Sequence, residues 1–138
     1  APMMLINYFL NKASEHEVRL IGVTVTSGAG TRPVFGWSAY CSTKASINMY
    51  TKTVALELEE RELEHKVIAF NPGVMDTNMQ MQIRSSNEEQ FVDVERFRSY
   101  KENNELRSPE AVAGVLVDIL LDEVNIDNGK IYDVKDYI

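Results

Sequence analysis

Two short apolar runs, each stopped by turn-forming residues and separated by a long helical pattern, limit this chain more than any other feature. Leu20, Ile21, Val23, Thr24 and Val25 form the first run, and Ser27, Gly28, Ala29 and Gly30 close it. Val67, Ile68, Ala69 and Phe70 form the second, stopped by Asn71, Pro72 and Gly73. Runs this short and this continuously apolar read as strands buried on both faces, which is the mark of parallel pairing. Between them Ile47, Tyr50, Val54 and Leu58 recur at steps of three and four, predicting a long amphipathic helix over 38–62. Strand, crossover helix and strand make a parallel unit, so the fold class is α/β.

The remaining pattern extends that unit. Residues 1–13 carry Pro2 at their front and a dense apolar stretch, predicting a helix that begins at or before residue 1. Ser108, Pro109 and Glu110 supply a cap, a first-turn proline and a first-turn acid, and the helix they open buries Val112, Val115, Leu116, Ile119 and Leu120. Asn128-Gly129 makes a turn, and 130–134 read as a last strand. The polar stretch between the second strand and Ser108 is expected to hold one helix, marked by Phe91, Val94 and Phe97, inside a longer binding excursion. The whole reads as about three parallel strands with flanking helices, forming a single partial domain over 1–138.

Composition removes several classes of function. A chain of 138 residues buries roughly two-thirds of its unfolded surface, enough for a core without covalent staples. Its one cysteine, Cys41, has no partner for an intrachain disulfide or a thiolate cluster, so a reducing compartment, the cytoplasm, is expected. Cys41 itself is expected to be packed and buried. With 14 Lys+Arg against 21 Asp+Glu, a net charge of −7 and no dense basic run, nucleic acid is not an expected partner. The apolar start is broken by Asn7 and is far short of the ~20 residues that span a bilayer, so no membrane partner is expected. His16 and His65 have no companions at ligand spacing, so both read as surface residues flanking strands and no metal site is expected.

Chemistry concentrates at the strand ends. Tyr40 and Lys44 lie four apart near the start of the long helix, one turn apart on one face. A free phenol titrates near ~10, and a neighbouring ammonium stabilises the phenolate, so such a pair makes a usable acid or base nearer neutrality. Taken alone, the pair is as well explained as a surface tyrosine and a solvated lysine. Ser27 changes this, because it sits where a first strand delivers ligand contacts, thirteen positions before Tyr40. The second strand ends in Asn71-Pro72-Gly73-Val74-Met75-Asp76-Thr77, where Thr77 either presents a hydroxyl and N–H to a phosphate or amide, or caps a helix.

Ser27, Tyr40-Cys41-Ser42-Thr43-Lys44 and Pro72-Gly73-Val74-Met75-Asp76-Thr77, in this order and spacing, resemble the catalytic half of the short-chain dehydrogenase/reductase family. Phe35-Gly36-Trp37-Ser38-Ala39-Tyr40-Cys41 and the stretch from Pro72 to Gln80 are similar to its sepiapterin reductase and benzil reductase branch. The resemblance implies a partial Rossmann-like doubly wound sheet and an NAD(P)H-dependent carbonyl reductase acting on a small-molecule ketone or diketone. It gives Tyr40 the role of acid and Lys44 that of holding the nicotinamide ribose and tuning Tyr40, while Ser27 bonds the substrate oxygen. Pro72, Gly73, Val74 and Thr77 would bind the cofactor, with NADP(H) favoured and NAD(H) the other choice. Trp37, Met79 and Asp133 join Ser27 as substrate-binding residues, Asp133 at the position of the pterin-anchoring acid; the alternatives are that Trp37 packs its loop and Asp133 is an ordinary strand-end carboxylate. The excursion over about 78–106 corresponds to the family's substrate loop, with Met79, Met81, Phe91 and Phe97 as candidate apolar walls, core packing being the alternative role for the two aromatics.

The resemblance covers only the C-terminal half of a family member. The glycine-rich pyrophosphate turn, the residue that selects NAD or NADP, and the fourth catalytic residue, an asparagine at or just before residue 1, fall outside it. Gly28-Ala29-Gly30 is no substitute, because it follows the strand that carries Ser27. An uncovered edge is therefore expected beside the first strand. The family's common homodimer packs the helices equivalent to 1–13 and 38–62. The other reading is a non-catalytic, dimer-forming fragment or pseudo-enzyme of the same fold; a nucleotide-sensing regulator is a third.

Overall fold

Residues alternate across a strand, and in the second strand both faces are spoken for. Val67 packs with Leu10, Val54, Ala55 and Leu58, while Ile68 and Phe70 pack with Val112, Val115 and Ile119 on the opposite side. The computed structural model describes residues 1–86 and 91–138. Its strands are β1 (Ile21–Val25), β2 (Lys66–Asn71) and β3 (Ile131–Asp133), and its longer helices are α1 (Pro2–Glu15), α2 (Ser38–Glu60), α3 (Asn78–Arg84), α4 (Val94–Glu102) and α5 (Pro109–Leu121). The strands form one parallel sheet in the order β1-β2-β3, with Val25 opposite Phe70 and Asn71 opposite Asp133. Helices α1 and α2 cover one face and α5 the other, the doubly wound arrangement expected for strands of this composition.

Each crossover has a local cause. Ser108 accepts a hydrogen bond from the Ala111 N–H, so Pro109 loses nothing by lacking its own N–H at the first helical position of α5. α1 settles directly on β1 because Gly22 has no side chain: a Cβ there would lie 3.0 Å from Ile6 Cδ1 and 3.2 Å from Val67 Cγ1. Among the described residues β1 pairs only with β2, leaving the expected uncovered edge.

His65 departs from expectation. It is buried rather than on the surface, because its ring joins the end of α1 to the start of β1. Nδ1 accepts from the Leu20 N–H at 3.2 Å, which leaves Nε2 to donate to Ser14 Oγ at 2.8 Å, and Ser14 in turn donates to the Leu10 carbonyl at 3.0 Å. A serine and histidine in contact here are a structural clip, since the histidine donates to the serine and takes no proton from it. Cys41 is half-buried, with Sγ 4.0 Å from the Arg32 carbonyl, rather than packed in the core.

Among the described residues, the excursion after β2 holds two helices where one was expected. Thr77 caps α3 by accepting from the Gln80 N–H at 3.4 Å, a start signal that the Phe91, Val94 and Phe97 spacing does not reveal. That spacing belongs to α4, where Val94 is fully buried. Residues 87–90 of the expected loop over 78–106 lie outside the described residues. Asp76 clasps both helices, bonding Lys101 of α4 at 2.5 Å and Arg84 of α3 at 3.5 Å. After α4, Arg107 returns to the same turn, accepting from the Asp76 N–H at 3.0 Å and donating to the Val74 carbonyl at 3.3 Å.

Two outcomes follow from these clips. His65→Leu orphans the Leu20 N–H and one bond of Ser14, and should cost about 2–4 kcal/mol of stability, measured by urea unfolding of the two proteins. The Lys101 bond, with the Arg84 charge beside it, holds the Asp76 carboxyl below its ordinary value of about 3.9. A carboxylate depressed on folding stabilises the protein above its ordinary value, and that contribution is lost as pH falls through the lower folded value. Melting temperature should therefore fall less steeply below about pH 4 in Asp76→Asn than in the parent protein, as thermal scans across acid pH will show.

Candidate active site

Parallel pairing brings the carboxyl ends of all three strands to one edge, and the sequence-predicted residues sit along it. The α2 helix begins there. Tyr40 and Lys44 project from one face of its first turns, with the Lys44 ammonium 5.6 Å from the centre of the Tyr40 ring. Lys44 Nζ also donates to the Val25 carbonyl at 3.0 Å, which ties the pair to the end of β1.

A cavity of about 230 Å³ opens beside the pair. Val25 and Thr26 form its β1 side, Trp37, Tyr40 and Lys44 its α2 side, and Pro72, Gly73, Val74, Met75 and Thr77 its β2 side. Met79, Gln80 and Ile83 of α3 and Phe97 of α4 complete the wall. Among these lining side chains only Lys44 is a charged type, so the space suits an uncharged, largely apolar molecule.

The turn from β2 is shaped for close approach. Gly73 has φ +67, and a Cβ on it would meet Val134 Cγ1 at 3.2 Å and Arg107 Nη1 at 3.3 Å, so only glycine sits here without strain. Both sequence alternatives for Thr77 hold together: its oxygen caps α3 while its side borders the cavity, and its hydroxyl proton faces no acceptor among the described residues. Gln80 is buried behind it, donating to the Phe97 carbonyl at 3.2 Å and accepting from Arg84 at 2.8 Å, and so locks α3 to α4 over the cavity.

Aromatic rings carry this roof to the helix below. Trp37 stacks on Phe91 with centroids 5.1 Å apart, touches Phe97 at 5.6 Å and meets the Tyr40 ring edge-on at 5.3 Å. Phe91 is buried behind Trp37 and does not line the cavity; Met81 is exposed and does not line it either. Of the apolar walls expected from the sequence, Met79 and Phe97 are in place.

Two predicted residues do not line the cavity beside Tyr40. Ser27 lies one residue beyond the cavity wall, its Oγ accepting from the Ala29 N–H at 3.2 Å in a short 3-10 turn over Gly28–Gly30. Asp133 is at the end of β3, where it accepts from Asn71 Nδ2 at 2.9 Å and from the Lys135 N–H at 3.1 Å, and pairs with Lys135 Nζ at 3.3 Å. It borders a neighbouring cavity of about 580 Å³ that shares Gly73 and Val74 with the first. Sequence reasoning missed Thr26, Asn48 and Gly30, which pack α2 against β1. The available signal was position: Asn48 is four residues after Lys44 on the same helical stripe. Among the described residues no cluster of ligating side chains is arranged for a metal ion, and no helix is long and apolar enough to cross a membrane.

Comparison with known proteins agrees with this arrangement. Residues 3–88 match the short chain dehydrogenase family. The chain is 44% identical over 138 residues to benzil reductase ((S)-benzoin forming) of Bacillus subtilis (strain 168), covering all of this chain and 56% of that protein. It is 47% identical over 120 residues to benzil reductase ((S)-benzoin forming) of Bacillus cereus, covering 87% of this chain and 48% of the relative. A solved short chain dehydrogenase/reductase from Saccharomyces cerevisiae superposes with a TM-score of 0.68 at 34% identity, over 85% of this chain and 46% of that one. The chain thus spans about half the length of the curated relatives it matches. On the family match over residues 3–88 and the 44% identity across the whole chain, the chain belongs to the short-chain dehydrogenase/reductase family.

Proposed function

We propose that the protein is an NAD(P)H-dependent carbonyl reductase for a ketone or diketone of the benzil or sepiapterin kind, with NADP(H) favoured over NAD(H). The observation that carries this reading is the placement of Tyr40 and Lys44 on one side of an apolar cavity whose other side is the Pro72–Thr77 turn. The relatives named as benzil reductases support the substrate class.

The residues present fit the nicotinamide end of the cofactor. Lys44 offers an ammonium for ribose hydroxyls, while the bare Gly73 and the hydroxyl of Thr77, with Pro72 and Val74, form the turn against which the ring and its amide would rest. When bound, NAD(P)H supplies a hydride to the carbonyl carbon. Tyr40 gives its phenolic proton to the carbonyl oxygen, so that the product is an alcohol. Lys44 beside it stabilises the phenolate left behind, and its bond to the Val25 carbonyl keeps it within reach. Ser27, one residue beyond the cavity wall, would bond the same carbonyl oxygen through its hydroxyl proton, while its own oxygen accepts from the Ala29 N–H. Trp37, Met79, Ile83 and Phe97 exclude water and offer flat apolar surface to an aryl group. Asp133 contacts only a substrate long enough to pass Gly73 and Val74 into the neighbouring cavity.

Association as a homodimer is part of the proposal. Met4, Leu5, Tyr8 and Phe9 on α1 and Met49 and Leu56 on α2 are all exposed, an apolar surface of the kind that marks protein contacts. The same surface is what a non-catalytic dimer-forming chain would keep, so activity is the deciding property. The reducing cytoplasm is the proposed location, on the single Cys41.

Tyr40→Phe in the complete protein should lower NADPH-dependent reduction of benzil by at least about a hundredfold while leaving the melting temperature unchanged. The loss of NADPH absorbance measures this. Turnover retained in the variant would remove Tyr40 as the acid.

A further inference from the structure

Helix α2 is joined to β1 by polar contacts at successive steps, the two between Thr24 and Thr51 and between Thr26 and Asn48 being buried. Thr24 and Thr51 place their hydroxyls 3.2 Å apart, Thr26 donates to Asn48 Oδ1 at 2.6 Å, and Lys44 donates to the Val25 carbonyl at 3.0 Å. Thr24, Thr26, Asn48 and Thr51 are all buried. Thr24 and Thr26 share one face of the strand, while Lys44, Asn48 and Thr51 continue the helical stripe that begins at Tyr40. Apolar side chains tolerate sliding between a helix and a sheet. Hydrogen bonds do not, and moving α2 by one residue, about 1.5 Å along its axis, would break every step of this ladder.

Gly30 closes the arrangement from the other side. A Cβ there would lie 2.7 Å from Asn48 Nδ2 and 2.9 Å from the Lys44 carbonyl carbon, so the turn that follows Ser27 presses directly on the backbone of Lys44. Asn48 is 7% exposed, and its Nδ2 has no hydrogen-bond partner among the described residues. An asparagine with half its bonding capacity unused is a poor choice for packing alone, where leucine would avoid the cost of burying an unpaired amide.

We propose that Thr26 and Asn48, backed by Gly30, are positioning residues: their buried contact sets the axial register of α2 on β1, and so the placement of Tyr40 and Lys44 relative to Ser27. The inference rests on the reductase reading above. Neither side chain delivers a group to the reacting atoms; Thr26 borders the cavity but commits its hydroxyl to Asn48.

The test uses the complete protein with Thr26→Val, which keeps shape and removes the hydroxyl, Thr26→Ser, which keeps the hydroxyl, and the double variant Thr26→Val/Asn48→Leu. Benzil and NADPH kinetics, melting temperature and a crystal structure of each variant are the readouts. Thr26→Val should lower kcat at least about tenfold, with KM for benzil changed less than about threefold, and Thr26→Ser should restore kcat to within about threefold. The double variant removes both polar partners and should recover the parent melting temperature without recovering kcat. Recovery of kcat together with melting temperature, or full kcat in Thr26→Val, would overturn the proposal. If Thr26→Val does not fold, Asn48→Asp, which keeps the acceptor, against Asn48→Leu carries the same comparison. Should the parent protein reduce no carbonyl, the reductase reading fails, and the crystal structures alone decide: the Lys44–Val25 contact is lost in Thr26→Val if the ladder sets register and kept if it does not.

Discussion

The burial of β2 on both faces is the constraint on which the rest of this structure depends. A strand with apolar side chains pointing both ways needs a layer on each side, so α1 and α2 take one face and α5 the other. Helical layers on both faces require crossover connections, and crossovers make the strands parallel. Parallel strands end together. The turns that hold Ser27, Pro72 to Thr77 and Asp133 are therefore gathered at one edge by the demands of the core, before any chemistry is asked of them.

What distinguishes this edge is how tightly Tyr40 and Lys44 are tied to their surroundings. Lys44 is fastened to the end of β1, Tyr40 touches Trp37, and Trp37 stacks under the residues that lead into α4. The Asp76 clasp and the buried Gln80 hold α3 and α4 to the turn after β2. A group proposed for proton transfer gains most from being held at a fixed place, and here Tyr40 meets an aromatic stack on one side and, on the other, a lysine that is itself fastened to a strand.

Much of this was legible in the chain. The fold class followed from two continuous apolar runs and one helical period, because those patterns report which faces are buried. Tyr40, Lys44 and the Pro72–Thr77 turn were legible because their spacing along the chain is also their spacing on one helix and one turn. His65 was not, since its burial depends on Ser14 and Leu20, residues distant along the chain that meet it only when α1 and β1 are in place. The helix that Thr77 caps went unassigned although capping was one of that residue's two readings, because its seven residues are too few to show an apolar period. Asn48 sits on the Tyr40–Lys44 stripe, but the stripe does not show that its partner is Thr26, and Gly30 acts through a close approach between turn and helix that leaves no periodic trace.

The central claim is that Tyr40 and Lys44 stand where a hydride and a proton are added to a ketone. It is tested most directly by incubating the complete protein with benzil and NADPH deuterated at the transferring position, and reading the product by mass spectrometry. The account predicts benzoin carrying one deuterium on its carbinol carbon. Benzoin formed without the label, or no benzoin from a folded protein that binds NADPH, would contradict it.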